Sequence, residues 1–544
     1  METKDVLASG LTYEDEIRYM NLSPFEVTNI LRKIAQDGCE RLKAQGKDCR
    51  VLNAGRGNPN FLNIIGRKAF AKLMLFATEL AANGQDLGWR PERRDIARKF
   101  KAYLAADRSK ETFFLKEAID YAEEEIGLDV DEFVFELVDA ALGDFYPDPP
   151  RIYPNTGEIV RTYLDDILIA DDKSKDKFDI FATEGATEAM VYSFKSLRRN
   201  HLLKADDRIA TVTPIFAPYL EIPSLNDYDL VNIEIKQSEA LEWQIPSEEL
   251  KKLEDERIKV LYLVNPTNPT SVAISSNTIE KIAKLVRDQR QDLIILTDTV
   301  YATFVDNFYS LIDAIPENTL CIYSYSKYFG VTGWRLGVIM LNKDNVIDRL
   351  ISELPNDVKE ELNERYGIIT PEPEKIKFID RLEMDSREVA LAHTGGLSGP
   401  QQAIMCIFSL FNLIDKERVY KSLVTETLER RIKNLYASFP EDYSYLKGSN
   451  KTHYYALINI AILAKERYNE EFANYLTENF LALDFLIKLA AEKAILCLPG
   501  AGFSGPEWTL RVSLANLNDQ DYLIIGQAII EVLDEYYDYY QGNE

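Results

Sequence analysis

The middle of the chain alternates two kinds of segment, and this alternation limits the fold more than any other feature. Short runs rich in Val, Ile, Leu and Tyr occur at 208–214 (RIATVTP), 258–265 (IKVLYLVN), 292–298 (DLIILTD) and 319–326 (TLCIYSYS). Amphipathic helical patterns such as 276–290 (SNTIEKIAKLVRDQR) lie between some of them. Nearly unbroken apolar strands separated by helices need cover on both faces, which is the sequence pattern of a mostly parallel α/β sheet. Residues 90–145 and 343–390 are charged and read as helical additions, and the chain from about 415 onward reads as a smaller α+β unit. The expected division is 1–150 (N-terminal arm, part of the small domain and a helical insertion), 151–410 (large domain) and 411–544 (C-terminal small domain).

Composition narrows the function. The chain has 63 basic and 89 acidic side chains, a net charge of −26, which repels a phosphate backbone and argues against nucleic-acid binding. The longest apolar stretch, YYALINIAILA, is too short to span a bilayer, so no membrane partner is expected. No signal peptide is read at the start, and the five cysteines are scattered without a CxxC pair. Free thiols and a cytoplasmic location are therefore expected. The three histidines lie far apart, so no metal site is expected.

In an open parallel sheet, ligands bind beyond the carboxyl ends of the strands. After KFDIFAT comes Glu184-Gly185-Ala186-Thr187 and a helical run. Helix-start amides there favour an anion, although Thr187 would also serve as an ordinary cap. Phe216 follows the next strand, and the turn-forming NPTNPTS, residues 265–271, follows another. Asp298 ends a buried strand, with Tyr301 three residues on. A carboxylate in that position must find a partner or titrate upward. The segment SYSKYFGVTGWRLG, 324–337, then brings together Ser324, Ser326, Lys327 and Arg335. Hydroxyls and a guanidinium suit a phosphate dianion, and a lysine beside it can bond to an aldehyde on the same molecule. Pyridoxal 5'-phosphate carries both groups, and Asp298 would face its ring nitrogen.

This set of motifs resembles the class I aminotransferases among the fold-type I pyridoxal-phosphate enzymes. The resemblance implies that Lys327 bonds the cofactor covalently. It gives Gly185, Ala186, Thr187, Ser324 and Arg335 to the phosphate, and Phe216 to the ring face. Asn268 and Tyr301 go to the 3-oxygen and Asp298 to the ring nitrogen. Tyr153, in YPNTGEIVRTYL, would reach the phosphate of a neighbouring subunit, as would Thr394 in AHTGGLS. Arg511, in EWTLRVSLAN, matches the arginine that grips the substrate α-carboxylate. The added helices and the motif NAGRGNPNF resemble the aspartate 4-decarboxylase branch. That implies conversion of L-aspartate to alanine and carbon dioxide, with aminotransferase activity on 2-oxo acids. It also implies a homodimer with shared sites, assembled further to a dodecamer. Gly55 and Arg56 are candidate substrate contacts, Arg56 for the β-carboxylate. One departure is Ser271, where many relatives have glycine; it is expected to alter the turn and leave the chemistry alone.

Overall fold

The computed structural model describes residues 4–8, 11–20, 22, 24–82, 84–144, 151–170, 177–225, 229–387 and 396–543. Strand β1 (Leu52–Asn53) precedes seven strands that form the main sheet: β2 (Phe178–Thr183), β3 (Arg208–Thr213), β4 (Val231–Lys236), β5 (Ile258–Val264), β6 (Ile294–Asp298), β7 (Thr319–Ser324) and β8 (Gly337–Asn342). Their spatial order is β2-β8-β7-β6-β5-β3-β4. The pairs β3–β4, β3–β5, β5–β6 and β6–β7 are parallel, while β8 runs antiparallel to both neighbours. β6 is thus the middle strand of seven, and Asp298 is its last residue. Because β8 is reversed, its amino end lies at the edge where the parallel strands end. That is how one sheet edge collects both the post-strand loops and the Arg335 turn.

All residues of β6, β7 and β8 are buried, as expected of strands covered on both faces. Helix Ser276–Gln289 covers one face through Ile279, Ile282 and Val286, and Ser275 caps it by accepting from the Thr278 N–H. Helix Ala186–Arg199 buries Met190, Phe194 and Leu197 against the opposite face.

Helices Ile64–Ala82, Ile96–Ala105, Lys110–Tyr121 and Val130–Leu142 enclose a second apolar cluster with Leu73, Phe100, Phe133 and Val138 at its centre. The expected additions are therefore helical, as are Val346–Ser352, Asn356–Tyr366 and Phe378–Arg387. Near the C-terminus come β9 (Tyr455–Asn459), β10 (Ile495–Leu496), β11 (Leu498–Pro499) and β12 (Thr509–Ser513). β12 lies between β11 and β9, antiparallel to both, and β1 pairs in parallel with β10 through Leu52 and Ile495. The segment after β1 is thereby tied to the C-terminal part of the chain. The expected boundary at 410 falls inside helix Gly399–Ile414, whose buried face packs on both clusters.

The cysteine expectation fails at one pair. Helix Pro24–Ala44 ends in a turn, and the chain doubles back so that Cys39 and Cys49 lie with Cα atoms 5.6 Å apart and form a disulfide. Cys321, Cys406 and Cys497 are free and buried. No helix of the described residues is long and apolar enough to cross a membrane.

The sheet edge depends on a close backbone approach at Gly337. A Cβ there would sit 2.5 Å from the Gly185 carbonyl carbon and 2.8 Å from Thr183 Oγ1, whereas a Cβ at Gly333 would meet nothing within 4 Å. Gly337→Ala should cost roughly 1–3 kcal/mol by overpacking. Gly333→Ala should be close to neutral. Thermal denaturation of the two variants checks this.

Candidate active site

The ends of β2, β3, β5, β6 and β7 and the turn before β8 contribute to one cavity of about 160 Å³ at the carboxyl edge of the sheet. Its lining includes Ala186 and Thr187 after β2, Phe216 and Tyr219 after β3, Asn268 after β5, and Asp298 and Tyr301 at β6. Ser324, Ser326 and Lys327 follow β7, and Arg335 precedes β8.

One end of the cavity is built for an anion. Gly185 takes φ +105 and opens helix Ala186–Arg199 without any side-chain cap, so Thr187 faces the cavity instead of closing the helix. Helix-start amides carry a partial positive charge. Arg335 lies against Gly185, and its Nη1 donates to the Thr332 carbonyl at 3.0 Å. Ser324 and Ser326, both buried, share a hydroxyl–hydroxyl bond of 2.9 Å.

The other end holds the carboxylate of Asp298, only 4% exposed. Tyr219 donates its hydroxyl to Oδ2 at 2.6 Å, and the Val300 N–H donates to Oδ1 at 2.9 Å. Burial raises its pKa to about 6, against the Tyr219 and Val300 hydrogen bonds and the Lys327 charge, which lower it. The acid therefore both finds partners and titrates upward.

Beside these groups lies the 53–61 segment, held at two carbonyls. The Gly57 carbonyl accepts from Lys327 Nζ at 3.1 Å and from the Tyr454 hydroxyl at 2.9 Å. The Gly55 carbonyl accepts from Arg511 Nη2 at 2.6 Å. Arg511, buried in β12, donates from Nη1 to Asn268 Oδ1 at 3.2 Å, and its guanidinium stacks on the rings of Tyr455 and Phe503. Its Nε has no partner and no carboxylate faces it; burial pulls its pKa below the usual arginine value. A buried cation held only by neutral acceptors is a site for an anionic ligand. Arg56, between the two carbonyls, is exposed and makes no hydrogen bond or ion pair with the described residues.

The structure therefore gathers Lys327, Asp298, Tyr301, Asn268, Phe216, Ala186, Thr187, Ser324, Ser326 and Arg335 around one cavity, with Gly185 and Arg511 in contact with its lining residues and Gly55 held on Arg511. It does not bring Tyr153 there. Tyr153 is buried in the second apolar cluster, its N–H donating to Gln402 Oε1 and its hydroxyl near Gly399. Thr394 lies outside the described residues. Tyr219, Tyr454, Tyr455 and Gly57 are additions. The Phe216–Tyr219 spacing, one turn at a helix start, was a usable signal; the YY pair at 454–455 gave none beyond strand propensity.

The donor set fits a molecule with a phosphate at one end and a basic ring nitrogen at the other. A family model for class I and II aminotransferases matches residues 175–529, and the chain belongs to that family. These enzymes depend on pyridoxal phosphate, and the chain has their fold-type I architecture. It is 42% identical over 528 residues to the bifunctional aspartate aminotransferase and L-aspartate beta-decarboxylase of Pseudomonas sp, covering 96% of this chain and 98% of that one. Among solved structures it is similar to an aspartate aminotransferase double mutant from Thermus thermophilus (TM-score 0.56, 15% identity, 97% of this chain and 98% of that one). It is also similar to an aromatic aminotransferase from Pyrococcus horikoshii (TM-score 0.53, 18% identity, 89% and 96%). At these identities the two structures speak for the fold alone.

Asp298 gives the cofactor-free protein a pH dependence. Between about pH 4 and 6 the folded protein keeps a proton on Asp298 that the unfolded chain has released, so stability falls as pH rises through that window. The full loss above it is about 3 kcal/mol. Cofactor-free Asp298→Asn should therefore melt above the wild type at about pH 8 and converge with it near pH 4.

Proposed function

We propose that this chain decarboxylates L-aspartate at C4 to alanine and carbon dioxide, with aspartate aminotransferase activity on 2-oxo acids as a side reaction. The observation that carries it is a buried arginine without an anion, Arg511, beside the segment that carries the exposed Arg56 and whose Gly57 carbonyl accepts from Lys327. The likeness to the bifunctional Pseudomonas relative, running the whole length, favours decarboxylation over transamination alone.

Pyridoxal phosphate, when bound, supplies a conjugated ring that accepts the electron pair left on the substrate. Gly185 to Thr187, Ser324, Ser326 and Arg335 would hold its phosphate, Phe216 would cover the ring, and Asn268 and Tyr301 would bond its 3-oxygen. Asp298 would keep the ring nitrogen protonated, and a cation there would return the buried carboxylate to its ionised form. Lys327 Nζ would take the α-proton of the substrate and return it.

The two arginines differ in what water does to them. Arg511 is desolvated, so a carboxylate there is bound by a short, weakly screened pair; this suits the α-carboxylate, which stays. Arg56 is exposed, so its attraction for the β-carboxylate is screened. A weak hold suits a group that loses its charge on departure, because a tight clamp would stabilise the charged ground state more than the transition state.

We also read the chain as an N-terminal part, a large cofactor domain and a small C-terminal domain. The helices of 64–142, which supply most of the second apolar cluster, and the three-stranded sheet support that division, with the 410 boundary falling inside helix Gly399–Ile414. We propose a cytoplasmic homodimer with shared sites, assembled further to a dodecamer, in which Tyr153 and Thr394 serve the partner's phosphate. The absence of Tyr153 from its own chain's cavity leaves that role open to it.

Purified enzyme given aspartate without a keto acid should release carbon dioxide and alanine in equal amounts; no gas would leave a plain aminotransferase. Lys327→Ala should abolish turnover. Arg56→Ala should change the ratio of alanine to oxaloacetate, measured by product analysis, and an unchanged ratio would remove Arg56 from the β-carboxylate.

A further inference from the structure

Ser271 holds a backbone conformation that an L-residue adopts at a cost, with φ +61. It is buried, and what it gains is specific. Its Oγ accepts the Tyr455 N–H at 2.7 Å, its carbonyl accepts the Thr452 N–H at 2.9 Å, and its own N–H donates to the Thr267 carbonyl at 2.8 Å. Glycine would allow the turn but could not supply the first of these bonds. The hydroxyl therefore fixes the start of β9 at Tyr455.

Tyr455 is 3% exposed. One face of its ring lies under the Arg511 guanidinium, 4.4 Å from the ring centre, and its hydroxyl is 3.0 Å from the hydroxyl of Tyr301. Tyr301 is equally buried, and Tyr454 packs beside both, its ring 5.1 Å from that of Tyr301. The charged groups around this pair are Arg511, stacked on Tyr455, and Lys327 and Asp298, which line the cavity with Tyr301.

We propose that Ser271, Tyr455 and Tyr301 form a positioning chain that sets how firmly the Lys327 nitrogen holds its proton when the cofactor is bound. The inference rests on the reading above, in which Tyr301 bonds the ring oxygen next to the carbon that Lys327 attacks. A phenol has one proton to give. Once Tyr301 donates it to the ring oxygen, the bond between the two tyrosines must be donated by Tyr455. A hydroxyl that accepts a hydrogen bond becomes a stronger donor in turn. Tyr455 thus strengthens the bond from Tyr301, draws charge from the ring oxygen and lowers the proton affinity of the neighbouring nitrogen. Tyr455 touches neither substrate nor cofactor in this role. Ser271, expected to matter only to the turn, acts by fixing where Tyr455 sits.

The test is a pH titration of the visible absorbance of the cofactor on the purified holoenzyme, for wild type, Tyr455→Phe and Ser271→Gly. Tyr455→Phe keeps the ring under Arg511 and removes only the hydroxyl; its midpoint should rise by about half a pH unit or more, the size expected for one neutral hydrogen bond. Ser271→Gly keeps the positive φ and should raise the midpoint by a smaller amount. A Tyr455→Phe midpoint equal to or below that of the wild type, with the visible band retained, would overturn the inference. If Tyr455→Phe does not fold, an unshifted Ser271→Gly overturns it and a raised one supports it. A wild type with no visible band would instead remove the cofactor reading, and this inference with it.

Discussion

Asp298 is almost fully buried, and its direct partners are a phenol and a backbone amide, neither of which carries charge. Across the same cavity Arg511 is buried with only carbonyl and amide oxygens to donate to. A fold that buries two unpaired charges of opposite sign gives up stability at both places. The two do not neutralise each other, because Asn268, Tyr301 and Tyr455 stand in contact with Arg511 or beside it. Such an arrangement suits ligands that complete it; the proposed ones are a ring cation at Asp298 and a substrate carboxylate at Arg511. The surrounding hydrogen bonds keep both charges aimed into the cavity.

The sheet makes this possible by delivering residues that are remote in sequence to one edge. The parallel order puts the ends of β2, β3, β5, β6 and β7 on one side, and the single reversal at β8 adds the Arg335 turn to them. The pairing of β1 with β10 then lays the Gly55–Gly57 segment over Lys327 and Arg511. In the proposed function, substrate groups would thus be held by a part of the chain other than the one that holds the cofactor.

Much of this was legible in the residues. Strand ends are marked by a change from apolar runs to Gly, Asn, Asp and Ser, and chemistry placed there cannot be core packing. That is why Gly185, Asp298, Ser324 and Lys327 could be read directly, while Asn268 was singled out only by the resemblance. Tyr454 and Tyr455 could not, because a tyrosine in an apolar run has the same signature whether its hydroxyl meets a carbonyl or a group of the site. The Cys39–Cys49 pair was hidden because it depends on how a loop doubles back along a helix. Tyr153 shows the opposite limit: its motif is clear, yet its ring is buried in the second apolar cluster, away from its own chain's cavity.

The central claim is that Lys327 is the residue that joins the cofactor at this edge. Reducing the holoenzyme with borohydride fixes that bond, and mass spectrometry of the digested protein locates it. The added mass is expected on the peptide containing Lys327 and on no other lysine. A label on a different lysine, or none at all in an enzyme that turns over aspartate, would contradict it.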